Sequence, residues 1–440
     1  MKVVIMAGGK GTRIAPVAGN IPKPMIKIQG IPVLEREICN LRSQGFCDLI
    51  LTVSHMAETI MDYFGDGQRL GVHIEYFVET QPLGNAGALF KLRDQLTEDF
   101  LLLNADAVFD VDFNRFTEYH RKKGGLVTLF THPNNHPYDS GLIIADENDV
   151  VLQWLTKEDK RPQWYKNRVN AGLHVINPAV FDQANIQEDT IGTVIKGKTV
   201  KVDLDRMVLK PLAGTGRMFC YDSPEYVRDM GTPERYQAVC DDYRACRVEA
   251  RNLRRRQKAI FMDRDGTINQ YKGFLTDIDE FELLPGAGEA IAKINQSGYL
   301  AIVVTNQPVI ARGEVTVPEL NEIHNKMETL LGRQGAFLDA IYYCPHHPHG
   351  GYEGEVPELK IDCNCRKPRP GMLLWASDDF NIDLENSWMV GDAQTDILAG
   401  QAAGCKTALI GSDDYGQDLT VKSLKEFANT ILAGPDDHRN

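Results

Sequence analysis

Asp263 and Asp265 stand one residue apart at the end of a short apolar run, Lys258-Ala-Ile-Phe-Met262, and Gly266 follows at once. The run reads as a buried strand and the glycine as a sharp turn. Carboxylates at the carboxyl end of such a strand can face the crevice where open α/β sheets bind ligands. There a pair can hold a divalent cation while one acid attacks a phosphoryl group and the other moves a proton. The same residues also read as a β-turn with solvated acids, and on five residues both readings stand. Farther on, Cys344-Pro-His346 and Cys363-Asn-Cys365 bring four ligands of the kinds that close a tetrahedral zinc site, with His347 and His349 outside the set. A zinc knuckle for nucleic acid is the rival reading. Against it, Cys365 runs straight into Arg366 and Lys367, which makes the loop a brace for catalytic groups. Near the N-terminus, Gly8, Gly9 and Gly11 would let backbone N–H groups approach phosphate oxygens, and Lys10 and Arg13 add positive charge. The glycine spacing fits neither the dinucleotide fingerprint nor a Walker loop. Pro22 and Pro24 stiffen the segment that carries Lys23.

These groups need elements to hold them. Val3-Val-Ile-Met6 and residues 300–304 and 388–390 read as short buried strands, each ending near a polar group. Tyr236, Val239, Cys240, Tyr243 and Cys246 recur at helical spacing, which predicts a helix from Pro233 through Lys258. Its end, Arg251-Asn-Leu-Arg-Arg-Arg-Gln-Lys258, is the strongest basic run and reads as a solvated linker helix. No Gly/Ser-rich tether follows, so the halves are expected to be joined semi-rigidly. A chain of 440 residues predicts two or three domains. Hydrophobic content of 43% and charged content of 25% are those of a soluble globular protein. The sequence carries no signal peptide and no apolar run of the roughly 18 residues a membrane helix needs, so a cytoplasmic protein without a membrane partner is expected. A formal charge of −13 argues against broad nucleic-acid binding and leaves small anionic substrates, met by local cations. Among nine cysteines, the clustered three beside histidines suggest metal, and the other six read as reduced thiols.

Several stretches carry a resemblance. Gly8-Gly-x-Gly-Thr-Arg13 followed by Pro22-Lys-Pro-Met25 resembles the signature of the sugar-1-phosphate nucleotidyltransferases. In that family's order come Glu79-Thr-Gln-Pro-Leu-Gly84, Leu101-Leu-Leu-Asn-Ala-Asp106, Asn170-Ala-Gly-Leu-His174 and Arg228-Asp-Met-Gly-Thr-Pro233. The resemblance implies a Rossmann-like, GT-A-like mixed sheet over residues 1–240. It implies nucleotide binding by Gly8, Gly9, Gly11, Thr12, Arg13, Gln81 and Gly84, and Mg²⁺ held by Asp106 and Asp229. Arg13 would stabilise departing pyrophosphate, Lys23 would meet the attacking sugar phosphate, and Lys157 would be a further phosphate contact. The chain departs from the family at Ala105, where glycine is usual, and at Thr156-Lys157-Glu158, where Glu-Lys-Pro is common. The reaction asks the protein for alignment and charge neutralisation, not for a nucleophile.

Asp263-Arg-Asp265, Thr305-Asn306, Cys365-Arg-Lys-Pro368 and Gly391-Asp392-Ala-Gln-Thr-Asp396 resemble, in order, the four motifs of the haloacid-dehalogenase (HAD) phosphatases. The resemblance implies an HAD-type Rossmannoid domain over residues 258–432, with a zinc loop at 344–365, no large cap, and a helical linker at 241–257. It makes Asp263 the nucleophile and Asp265 the proton partner, with Thr305, Asn306 and Lys367 on the phosphoryl group. Mg²⁺ would be held by Asp263, Asp392 and the carbonyl of Asp265, supported by Asp396. The zinc-type loop resembles the branch that contains the heptose bisphosphate phosphatases and the histidinol phosphatases, Ile310-Ala-Arg-Gly313 resembles the heptose enzymes more, and Arg366 would then help recognise substrate.

Together the halves imply a bifunctional α/β enzyme of nucleotide-activated heptose synthesis. It would remove the 7-phosphate of D-glycero-D-manno-heptose 1,7-bisphosphate and transfer GMP from GTP to the α-anomeric 1-phosphate. The alternatives are a mannose or glucose 1-phosphate nucleotidyltransferase joined to a histidinol-phosphatase-like enzyme, or one half kept as a binding or regulatory domain. Assembly into a homo-oligomer is left open.

Overall fold

The computed structural model describes residues 1–9, 12–105 and 107–432, and of Thr12 only the backbone. Gly11 and Asp106, both expected site residues, and Lys10 lie outside the described residues, as does the polar tail from Gly434. The chain forms two compact units. One comprises Met1–His132, Ile143–Leu155 and Asn170–Asn252; the other comprises Pro133–Leu142, Thr156–Val169 and the chain from Leu253 onward. Among the described residues no helix is long and apolar enough to cross a membrane.

The first unit is built on a nine-stranded mixed sheet. Its centre is β1 (Val3–Met6), which lies parallel to β2 (Asp48–Val53) on one side and to β4 (Phe100–Asn104) on the other; β3 (His73–Val78) extends the β2 side. β5 (Val169–Ile176) runs antiparallel to β4. The chain thus reverses its order at β1 and β4, and the glycine loop leaves the carboxyl end of β1 at this switch. Val3 and Ile5 bury in one core and Val4 in the other, which is why so short a strand can be apolar throughout.

The second unit carries a fully parallel sheet. β6 (Lys258–Met262), β7 (Tyr299–Asn306) and β8 (Ala340–Cys344) run outward in one direction, and β9 (Trp388–Gly391), β10 (Lys406–Ile410) and β11 (Leu419–Val421) in the other. The spatial order is β8-β7-β6-β9-β10-β11, so β6 and β9 flank the switch point. Ile260 and Met262 face one core, Ala259 and Phe261 the other. Helices α1 (Ala287–Asn295), α2 (Val317–Arg333), α3 (Gly371–Phe380) and α4 (Gln394–Ala403) belong to this unit. A capping box between Thr316 and Glu319 starts α2, and no separate cap domain intervenes between β6 and α1.

The expected helix from Pro233 through Lys258 is corrected. Helices span Pro233–Arg244 and Arg247–Ala250, separated by Cys246 at φ +54°, and the chain from 251 is not helical. Burial is the physical reason. Arg251 and Asn252 are not solvated but buried, donating to the Pro224 carbonyl at 3.3 Å and to Asp110 at 2.6 Å, while Gln257 joins Asn381 and Asp383 by backbone hydrogen bonds.

Gly400 lets α4 lie on the sheet: a Cβ there would come within 2.7 Å of Met389 Cβ and Thr407 Cγ2. Gly400→Ala is expected to destabilise the second unit by about 1–3 kcal/mol, read as a lower thermal midpoint. An unchanged midpoint would mean that α4 can move away freely.

Candidate active sites

β6 and β9 deliver Asp263 and Asp392 to neighbouring positions at the switch point, and α4 delivers Asp396. One ligand oxygen from each lies within 4.8 Å of the others. Gly266 is at φ +84°, and a Cβ there would sit 2.0 Å from an Asp392 oxygen; at Gly391 it would sit 2.1 Å from Asp396. Both glycines are required by how closely the backbone approaches these acids.

Lys367 lies among them, 2% exposed. Its ammonium donates to Asp263 Oδ1 and to the Val304 carbonyl, each at 2.8 Å, and forms an ion pair with Asp396 Oδ1 at 2.6 Å. Burial would lower the ammonium's pKa, but Asp263 and Asp396 outweigh it and hold it well above the ordinary value. Asp263 is pushed up to about 6, by burial first and by Asp396 against the pull of Lys367. Asp392 also rises to about 6, through burial and then the charge of Asp263. Three carboxylates with one ammonium leave uncompensated negative charge, so the donor set fits a hard divalent cation.

Asp265 stands apart in a cage of donors. Arg264 reaches it at 2.8 Å, Gln307 Nε2 at 2.9 Å and Asn269 Nδ2 at 3.0 Å. Arg264 is fully buried and also meets His324 at 3.3 Å, whose pKa burial holds far below its ordinary value. The sequence assigned no role to Arg264, Gln307, Asn269 or His324. The only signal was the place of Arg264 between the two aspartates. Thr305 is buried and accepts from Gln307 at 2.9 Å. The Asn306 side chain both donates to the Lys367 carbonyl and accepts from the Lys367 amide, each at 3.0 Å, so its contact is with the lysine backbone. Arg366 donates to the His346 carbonyl at 3.2 Å.

Cys344, His346, Cys363 and Cys365 are brought together. The three sulfur pairs are 3.3–3.5 Å apart, and His346 Nδ1 is 3.3 Å from Cys365 Sγ. Three thiols and an imidazole nitrogen at these separations fit the edges of a small tetrahedron, a soft donor set for a metal ion. Burial raises the Cys365 thiol to about 11, against the thiolate that a metal would require and stabilise.

In the first unit, Asp229 ends a strand (Tyr226–Asp229) whose register sets it opposite Ala107. Buried Lys23 lies 3.4 Å from Asp229 Oδ1, and Arg235 pairs with the other oxygen. A Cβ on Gly231 would meet Asp229 at 2.9 Å and Arg13 at 3.4 Å, so Arg13, Lys23 and Asp229 converge there. Gly8 packs against Ser54 and Glu79, to which the sequence assigned no role, whereas a Cβ on Gly9 would meet nothing within 4 Å. Burial raises Glu79 above the ordinary carboxylate range. Gln81 lies against Gly192, and Gly84, at φ +85°, lies against the Val202 carbonyl. Lys157 is exposed on a turn that belongs to the second unit.

The raised Asp392 pKa predicts a pH dependence. A carboxyl group raised on folding contributes stability below its unfolded pKa and loses it as pH rises through about 6. In Mg²⁺-free buffer, the thermal midpoint of wild type relative to Asp392→Asn should therefore fall by on the order of a few °C between pH 4.5 and 7. A difference that stays flat would contradict the buried, uncompensated carboxylate.

Comparison with known proteins follows this division. The nucleotidyl transferase family profile matches residues 2–244, and an HAD-hydrolase-like profile matches residues 364–433. The D-glycero-beta-D-manno-heptose-1,7-bisphosphate 7-phosphatase of Pasteurella multocida is 43% identical over 176 residues, 40% of this chain and 91% of that protein. Among solved structures, HddC from Yersinia pseudotuberculosis is 24% identical, with 55% of this chain and 99% of that one covered at a TM-score of 0.46. The D,D-heptose 1,7-bisphosphate phosphatase from B. bronchiseptica, complexed with magnesium and phosphate, is 34% identical, with 40% and 98% covered at a TM-score of 0.35.

Proposed function

The chain belongs to the nucleotidyl transferase family through its first half and to the heptose-bisphosphate 7-phosphatases through its second, and on that premise we propose how the two sites act in heptose activation. The phosphatase would remove the 7-phosphate of D-glycero-D-manno-heptose 1,7-bisphosphate. The transferase would join the remaining 1-phosphate to GMP from GTP, releasing pyrophosphate. The carrying observation is the buried Lys367 shared by Asp263 and Asp396 with Asp392 alongside, an arrangement suited to an anionic nucleophile meeting an anionic phosphate.

Asp263 attacks the 7-phosphorus, and the bond from that phosphorus to the C7 oxygen breaks. Asp265 gives the leaving alkoxide its proton. It then takes a proton from the water that releases phosphate from the aspartyl group. Lys367 and Thr305 face the phosphoryl oxygens, and Asp263, Asp392 and the Asp265 carbonyl would hold Mg²⁺, which supplies charge neutralisation. In the first half the sugar phosphate oxygen attacks the α-phosphorus of GTP. Lys23 holds the attacking phosphate, Arg13 the departing pyrophosphate, and Asp106 and Asp229 are the carboxylates for Mg²⁺. Gly8, Gly9, Gly11, Thr12, Arg13, Gln81 and Gly84 would bind the nucleotide, and Lys157 and Arg366 would be further substrate contacts. Cys344, His346, Cys363 and Cys365 would hold zinc in a closed structural site. Such an enzyme would work on small soluble metabolites in the cytoplasm, with no nucleic-acid or membrane partner.

The relatives of the second half are named for the β-anomer, whereas the α-anomer and GTP rest on the likeness of the first half's motifs to guanylyltransferases. Pyrophosphate release is therefore to be measured with GTP, ATP, CTP and UTP against α- and β-heptose, mannose and glucose 1-phosphates. GTP with the α-heptose is expected to lead; ATP with the β-anomer would replace that substrate pair, and no turnover with any pair would sink the transferase. Asp263→Asn should lower 7-phosphate release by at least about 10³-fold while guanylyl transfer continues. Loss of both activities in a folded protein would contradict two separate sites. Cys363→Ser should lower the zinc content measured by atomic emission, and full zinc occupancy would remove that ligand.

A further inference from the structure

Three loops leave the carboxyl edge of adjacent strands in the second sheet. The loop after β6 carries Phe274, the loop after β7 carries Arg312, and the cysteine-bearing loop after β8 carries Tyr352. Arg312 meets both of the others. Its guanidinium carbon lies 4.2 Å from the Phe274 ring centre and 4.3 Å from that of Tyr352. Glu314 takes one amino nitrogen at 2.6 Å, while the buried Nε has no hydrogen-bond partner among the described residues. The side chain is 16% exposed, whereas Phe274 is 51% exposed.

The backbone holds this arrangement in place. Ala311 N donates to the Pro345 carbonyl at 3.2 Å and Val356 N to the Ala311 carbonyl at 3.0 Å. Gly313, at φ +72°, could carry no Cβ, because that atom would lie 1.9 Å from the Gly354 carbonyl. The same loop begins at Gln307, which holds Asp265, so Arg312 is tied by a few residues of chain to the reacting groups.

We propose that Arg312 is a specificity-determining residue that reads the second, non-reacting phosphate of a sugar bisphosphate. This rests on the phosphatase reading above. Two rings contact the guanidinium and hold its plane, leaving its donor edge to select an oxyanion, and a planar fork suits phosphate in a way an ammonium does not. Glu314 compensates the charge between turnovers and leaves a donor unused. Lys360, 4.6 Å from the Tyr352 ring centre and paired with Glu355 at 3.0 Å, is the other cation facing this aromatic group, and it lacks the planar fork. A bare structural buckle between loops would need the stacking but would have no preference among substrates.

The test is a ratio: kcat/KM for heptose 1,7-bisphosphate over kcat/KM for heptose 7-phosphate, measured on the full chain. Arg312→Met should lower this ratio about 100-fold, the scale of losing one buried charge-assisted contact. Arg312→Lys should recover at least about tenfold of it, because the charge returns without the fork. A ratio that does not move, whether both substrates suffer equally or neither does, overturns the proposal and leaves Arg312 a buckle. If Arg312→Met loses its fold by circular dichroism, the Arg312→Lys ratio decides: a fall below wild type supports the assignment, and the wild-type value overturns it. If wild type does not release the 7-phosphate, the phosphatase reading fails. The Arg312 assignment is then tested separately, as the same ratio for fructose 1,6-bisphosphate over fructose 6-phosphate.

Discussion

The ammonium of Lys367 governs the second unit. It is buried, donates hydrogen bonds to Asp263 and the Val304 carbonyl, and pairs with the charge of Asp396. An unpaired charge at that depth would be expensive, so lysine and acids must arrive together or not at all. Their arrival in turn dictates residues that carry no chemistry. Gly266 and Gly391 exist because Asp392 and Asp396 occupy the space a side chain would fill. Asn306 exists to fix the Lys367 backbone from both sides. Three carboxylates face one ammonium, so two negative charges stay uncompensated, and burial first, with the charge of the neighbouring acids, pushes Asp263 and Asp392 both up to about 6. The donor set fits a divalent cation.

Topology explains how such a set of charges can exist beside apolar cores. In the second sheet the strands preceding the acids are buried on both faces, and only their carboxyl ends open where the strand order reverses. Ile260, Met262, Ala259 and Phe261 stabilise the strand, and the chain turns polar only at its last position. The first sheet repeats this logic with different residues. β1 is apolar to its end and then yields to glycines, so the groups presented there are backbone donors with Arg13, Lys23 and Asp229 about them.

Much of this was legible in the sequence because it is local. Apolar runs of four or five residues named β1 and β6, and ordered motifs named Asp263, Thr305, Lys367 and Asp392. Cys344, His346, Cys363 and Cys365 could be listed from spacing, and they are found together in space. What escaped depends on distant partners. Arg264 received no role from the sequence; its buried partners Gln307 and His324 are 43 and 60 residues away. Glu79 and Ser54 border Gly8 only through the sheet. The helix expected through Lys258 failed for the same reason. Its periodicity holds from Pro233 to Arg244 and breaks at Cys246, and Arg251 and Asn252 find buried partners that no periodicity encodes.

The cysteine cluster is best understood through Lys367. Cys365 precedes the lysine by two residues, and the loop between them has little freedom. Arg369 donates to the Cys363 carbonyl at 2.8 Å, and Gly371 donates to the Asn364 carbonyl at 3.0 Å, where a Cβ would intrude to 2.4 Å. Arg366 ties back to His346, the fourth member of the cluster. A metal drawing these four side chains together would therefore fix the backbone from which Lys367 reaches the acids, and would do so without touching substrate. A lysine with two hydrogen bonds at 2.8 Å and an ion pair at 2.6 Å tolerates little displacement, since a loosened ammonium leaves Asp396 buried and unpaired. The long excursion between β8 and α3 thus holds the backbone on either side of one buried charge.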